Sequence, residues 1–134
     1  MSIVSIRAAL ETAVNSITPA LPTAWENAFF TPPVNAPWQQ VFIMPADPDN
    51  VEFGGGYQQV GIMQISLRYP RLTGSAAAAT RAELIKSTLK RGNSYTSGEV
   101  ITTIQKTASI GNGMDDGEFW FLPVKIQFYA NINL

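Results

Sequence analysis

Six of the ten carboxylates, Asp47, Asp49, Glu52, Asp115, Asp116 and Glu118, crowd into two short stretches, where they could bind a hard cation or work as an acid-base pair. Neither stretch completes such a site. Asp47-Pro48-Asp49-Asn50 begins like a calcium loop, but the next ligand position holds Val51 and the turn glycine is replaced by Glu52. Asp115, Asp116 and Glu118 supply enough oxygen for a weak magnesium site, yet they fall at a hairpin tip, where carboxylates are ordinarily hydrated. A hydrolytic pair needs two acids held on rigid elements, and these six sit in or beside loops. The glycine runs Gly54-Gly55-Gly56 and Gly111-Asn112-Gly113 lack both the dinucleotide fingerprint and the lysine of a phosphate loop, so they read as flexible connections. Arg81, Lys86, Lys90 and Arg91 share one helix and read as a solvated face whose cations complement the helix dipole.

The chain has no histidine and no cysteine. That removes Ser-His-Asp triads, imidazole metal centres, thiolate sites, disulfides and cysteine nucleophiles together. The expectation is therefore no enzyme, no catalytic residue, no metal and no cofactor. With a net charge of −1, the chain carries no overall basic footprint for tight nucleic-acid binding and nothing that steers it to an anionic membrane. No apolar run approaches the roughly 20 residues that span a bilayer, and the opening residues lack a secretory leader, so the reading is a soluble intracellular protein. Charged residues make up 14% of the chain against 46% apolar. A charge fraction that low, against about 25% in soluble domains, suits either a neutral monomer rich in Thr, Ser, Asn and Gln or a surface partly covered by other subunits.

A chain of 134 residues can bury a core as one domain. Ile3, Ile6, Leu10, Val14 and Ile17 form one helical stripe that ends before Pro19. Residues 18–37 hold five prolines around Trp25-Glu26-Asn27-Ala28-Phe29-Phe30, which makes them a connecting arm or, over Trp25 to Phe29, a short edge strand. Strands are expected over Trp38 to Met44, Tyr57 to Tyr69, Glu99 to Lys106 and Glu118 to about Ile132, the last with Pro123 marking an edge position or a bulge. A second helix is expected from Ser75, as cap, to Arg91, with Gly92 as terminator. The loops Ala46 to Gly56 and Thr107 to Gly117 are expected to be mobile until assembly orders them. These elements predict an α+β domain of order α-β-β-α-β-β, a largely antiparallel sheet of four to five strands with both helices on one face.

The segments Pro22-Thr23-Ala24-Trp25-Glu26-Asn27, Phe30-Thr31-Pro32-Pro33 and Gly61-Ile62-Met63-Gln64-Ile65-Ser66-Leu67-Arg68-Tyr69-Pro70, followed by a small-residue turn into the Ala-rich helix ending Leu89-Lys90-Arg91-Gly92, carry a resemblance. In this order they resemble the small tail-terminator-like proteins, the tail completion or neck proteins of long-tailed bacteriophages, from Ile3 to about Gln127. The resemblance implies a phage or prophage structural protein of the virion tail or neck, assembled in the host cytoplasm. It implies a homo-oligomer closed into a hexameric ring that caps the tail tube, stops its polymerisation and presents the head-joining surface. The implied partners are other copies of the chain, the tail-tube protein and the head-tail connector, with DNA only as passing cargo. Two alternatives stand beside it: another neck protein, and a monomeric small-molecule-binding module with a cleft under the Trp25 arm.

Alternation in the two long strands directs Gln64, Ser66 and Arg68, and Lys125, Gln127, Tyr129 and Asn131, away from the core. With both helices needed to cover the apolar face, these seven are the expected subunit interface or channel wall. Arg68 and Lys125 are the charges whose reversal should abolish assembly without unfolding the subunit.

Overall fold

The structure, a computed structural model, describes residues 2–48, 50 and 56–132. The acidic, glycine-rich stretch expected to be a mobile loop, Ala46 to Gly56, falls largely outside them, Asp49 and residues 51–55 included.

Helix α1 spans Ser2–Asn15. Its buried residues Ile6, Ala9, Leu10, Ala13 and Val14 repeat at spacings of three and four, and Ile17 continues the stripe just past the helix end. Ile3, expected on that stripe, is 39% exposed. Strand β1 is only Thr23–Ala24, β2 runs Trp38–Pro45 and β3 runs Tyr57–Pro70. Helix α2, Ala76–Thr88, buries Ala78, Arg81, Ala82 and Ile85. Ser75 stands at its N-cap position but makes no side-chain capping bond. Gly92, at φ 91°, lets the chain turn back, and its N–H donates to the Ile104 carbonyl. Strands β4 (Ser94–Ser97), β5 (Val100–Ile104), β6 (Ser109–Ile110), β7 (Met114–Asp116) and β8 (Phe119–Ile132) complete the chain.

The expectation of a largely antiparallel sheet of four to five strands is corrected. The sheet has eight strands, in the order β1-β2-β3-β8-β5-β4 with β6 and β7 also on β8, and it is mixed, because β1 pairs in parallel with β2. Its spine is the antiparallel pair β3–β8, in register from Tyr57↔Ile132 to Pro70↔Phe119. The short strands were hard to foresee, since a two-residue strand has no period to read and owes its pairing to the long strand beside it.

The stretch Thr107 to Gly117 departs from expectation in the same way. It is paired along β8 through Ser109↔Lys125, Ile110↔Val124 and Met114↔Phe121. Between these registers residues 111–113 lie opposite 122–123, one extra residue that lifts the chain over Pro123. A β-carbon on Gly111 would lie 2.8 Å from Pro123 Cγ, and one on Gly113 would lie 1.9 Å from Trp120 Cζ2. Close approach, rather than flexibility, explains these glycines. Pro123 sits inside the sheet opposite this bulge, so of the two expected settings, edge or bulge, the bulge is the one found. Its carbonyl accepts the Gly111 N–H at 2.9 Å, and its missing donor falls in the gap between β6 and β7.

The inner face of β2, β3, β5 and β8 and both helices close one core around Val41, Met63, Ile65, Leu67, Val124, Ile126 and Phe128. Helix α1 lies against β4 and β5, and α2 against β3 and β8.

Candidate assembly surface

All seven residues expected to point away from the core fall on the outer face of β3 and β8, brought side by side by the register Gln64↔Lys125, with Val60↔Tyr129 and Gln58↔Asn131 further along. They are not equally available. Lys125 and Asn131 are exposed, and Gln127 and Tyr129 are half-buried. Asn131 accepts a hydrogen bond from Gln58 Nε2 at 3.3 Å. Gln64 donates to Ser66 Oγ at 2.9 Å, and Ser66 is buried at 1% exposure.

Arg68 is engaged within its own chain. Its guanidinium carbon lies 5.3 Å from the Trp38 ring centre and 4.9 Å from that of Phe121, and Nη1 forms an ion pair with Asp116. Its Nη2 donates to Gln40 Oε1 at 3.4 Å, and the side chain is 15% exposed. Planar, delocalised charge between two ring faces is the setting that suits arginine best. Arg68 thus ties β7 to the sheet. It is not a free charge awaiting a neighbour.

Strand β2 adds to this face side chains that the alternation of β3 and β8 alone does not include. Trp38, Gln40, Phe42 and Met44 lie beside Arg68, Ser66, Gln64 and Ile62. The arm folds over this corner, its Phe30 ring 5.1 Å from Trp38 and tilted by 32°, while Phe119 of β8 meets Trp38 edge-on at 6.0 Å. The groove so formed is lined by Trp25, Glu26, Phe30, Pro32, Trp38 and Phe42. The outer face is therefore partly covered by its own chain at the β2 corner and uncovered along β8. The signal was present in the alternation of Trp38, Gln40, Phe42 and Met44 along β2.

Glu26 holds the arm down. One carboxylate oxygen accepts the Ile43 N–H of β2 at 2.6 Å and Arg7 Nη1 of α1 at 2.9 Å. Burial pushes the Glu26 pKa up, but the Ile43 N–H and the Arg7 guanidinium outweigh it and hold it below the usual glutamate value. A carboxyl depressed in the folded state stabilises above its unfolded pKa, about 4.3, and that contribution is lost as pH falls through the folded value. Glu26→Gln should therefore lower the thermal midpoint at pH 7, and the difference between parent and variant should shrink steadily as the pH is taken down through the folded value. A midpoint difference that does not change with pH would show that the carboxylate charge is not what holds the arm.

Arg81, grouped in sequence with Lys86, Lys90 and Arg91 as a solvated face, is buried at 5% exposure and donates through Nη1 to the Pro19 carbonyl. Burial lowers its pKa and raises that of Tyr69 nearby. It joins α2 to the segment following α1. Among the described residues no three His, Cys, Asp or Glu side chains are grouped so as to hold a metal, and no helix is long and apolar enough to cross a membrane.

Comparison with known proteins places this architecture. Eleven solved chains match, and one of them is similar to this chain at 26% identity and a TM-score of 0.78, over 100% of this chain and 98% of that one. No curated protein matches. A family model described as "Phage tail terminator protein" matches residues 5–128, from within α1 to within the second half of β8, so all of β3, most of β8, most of α1 and the whole of α2 are included. The chain belongs to the phage tail terminator family, a family of structural phage proteins.

Proposed function

We propose that this protein closes into a sixfold ring that caps the finished tail tube, stops its polymerisation and offers the surface to which the head connector joins. The observation that carries the proposal is the family match over residues 5–128. The protein then resides at the head-proximal end of the virion tail, after assembly in the host cytoplasm. It performs no catalysis, and DNA passes it as cargo.

The outer face supports this reading along β8. Lys125, Gln127, Tyr129 and Asn131 mix a cation, two amides and a phenol, with two of the four only half exposed. Such a composition suits a non-obligate interface better than a uniformly charged solvent face. A surface repeated head to tail must close into a ring or grow into a filament, and a terminator has to close. Lys125 is the charge to test, because it is exposed and has no ion pair among the described residues. Lys125→Glu should keep the parent's thermal midpoint within about 2 °C, since exposed substitutions rarely change stability by more than about 0.5 kcal/mol. It should nevertheless shift the protein from ring toward monomer in sedimentation velocity at high concentration. A parent that is strictly monomeric there, and that fails to bind tube ends, would overturn the ring. A variant that assembles like the parent would move the interface away from β8.

A further inference from the structure

The end of α2 and the residues that follow it gather positive charge that their immediate neighbours in sequence do not balance. Lys86 lies in the last turn of α2, Lys90 and Arg91 follow just past the helix end at Thr88, and the backbone then pairs with the end of β5 through Gly92 N–H to Ile104 O at 2.8 Å and Ile104 N–H to Asn93 O at 2.9 Å. That pairing carries Arg91 to Gln105, Lys106 and Thr107, and the four line one open groove. Lys90, Arg91 and Lys106 are exposed, and none of the four cations has an ion pair among the described residues. The helix dipole offsets only about half a charge, and Glu83 on the same helix at most one. A net positive corner remains.

The groove walls are two cations, an amide and a hydroxyl, all able to donate to phosphate oxygens. A protein partner would need an apolar anchor at the centre of the contact. Among the described residues no large apolar side chain lines the groove. We propose that this corner, Lys86, Lys90, Arg91 and Lys106, contacts the phosphate backbone of duplex DNA without reading its sequence. The net charge of −1 gives no long-range attraction, so the contact is weak per subunit and short in range. It is a property of the single subunit and is independent of ring closure.

The test is fluorescence anisotropy of a labelled 20-base-pair duplex with the full chain, from about 20 to 200 mM salt. Four backbone contacts give a log-log salt slope of about −3 to −4. The double variant Arg91→Glu/Lys106→Glu should weaken binding at least tenfold at the lowest salt and reduce the slope by about 2. Arg71→Glu, an exposed cation before the other end of α2, should bind as the parent does. Three results would overturn the proposal: no salt-dependent binding by the parent, equal losses in Arg71→Glu and the double variant, or equally tight binding of poly-glutamate. The last would assign the corner to an acidic protein surface.

Discussion

Arg68→Glu is expected to cost about 2–3 kcal/mol of folding stability and to lower the thermal midpoint by about 10 °C. The parent side chain is held between the Trp38 and Phe121 rings and paired with Asp116, at 15% exposure. A carboxylate in its place would meet the negative faces of both rings and the like charge of Asp116. The cost stays below that of a fully buried broken pair because Asp116 is 56% exposed. Arg68→Met, which keeps the stem between the rings, should lose about 1 kcal/mol. An Arg68→Glu midpoint equal to the parent's would show that the clamp contributes nothing. The contrast with Lys125 matters for any assembly experiment: reversing Lys125 probes the interface, whereas reversing Arg68 also probes the fold.

Phe128→Ala should be still more damaging, by about 3–5 kcal/mol, a large part of the 5–15 kcal/mol by which domains are ordinarily stable. Phe128 is fully buried and lies opposite Gly61 across the β3–β8 spine. The ring occupies the space a side chain at Gly61 would need: a β-carbon there would come within 2.6 Å of Phe128 Cζ and 2.8 Å of the Met44 carbonyl oxygen. Gly61→Ala alone should therefore cost about 1–3 kcal/mol by overpacking. The double variant should cost less than the two singles combined, because removing the ring frees part of that space. Urea denaturation of the four proteins reads the coupling, and strictly additive losses would contradict the proposed fit.

The long elements were legible because their patterns are long. Eight to fourteen residues of alternation fix which side of β2, β3 and β8 faces the core, and so fix the seven outward residues of β3 and β8. What pattern cannot show is pairing between distant segments. Asp116 and Arg68 are 48 residues apart, and nothing local marks the acid as the arginine's partner. Glu26 reaches Ile43 across 17 residues for the same reason, and β1, β6 and β7 exist only because a long strand offers them an edge. The glycines at 111 and 113 misled in an instructive way, since a residue chosen for close approach and one chosen for freedom look identical in sequence. Arg81 misled similarly: its place on α2 suggested a solvated face, but the helix turns it inward to the Pro19 carbonyl.

The central claim is that this protein ends tail-tube growth. The direct measurement is the length distribution of tubes grown from the cognate tail-tube protein, seen by negative-stain electron microscopy, with and without this chain added during growth. Tubes grown with the chain should stop short and carry a ring of added density at one end, and tubes grown with Lys125→Glu should keep growing. Tubes of the same lengths in all three preparations, with bare ends, would contradict it.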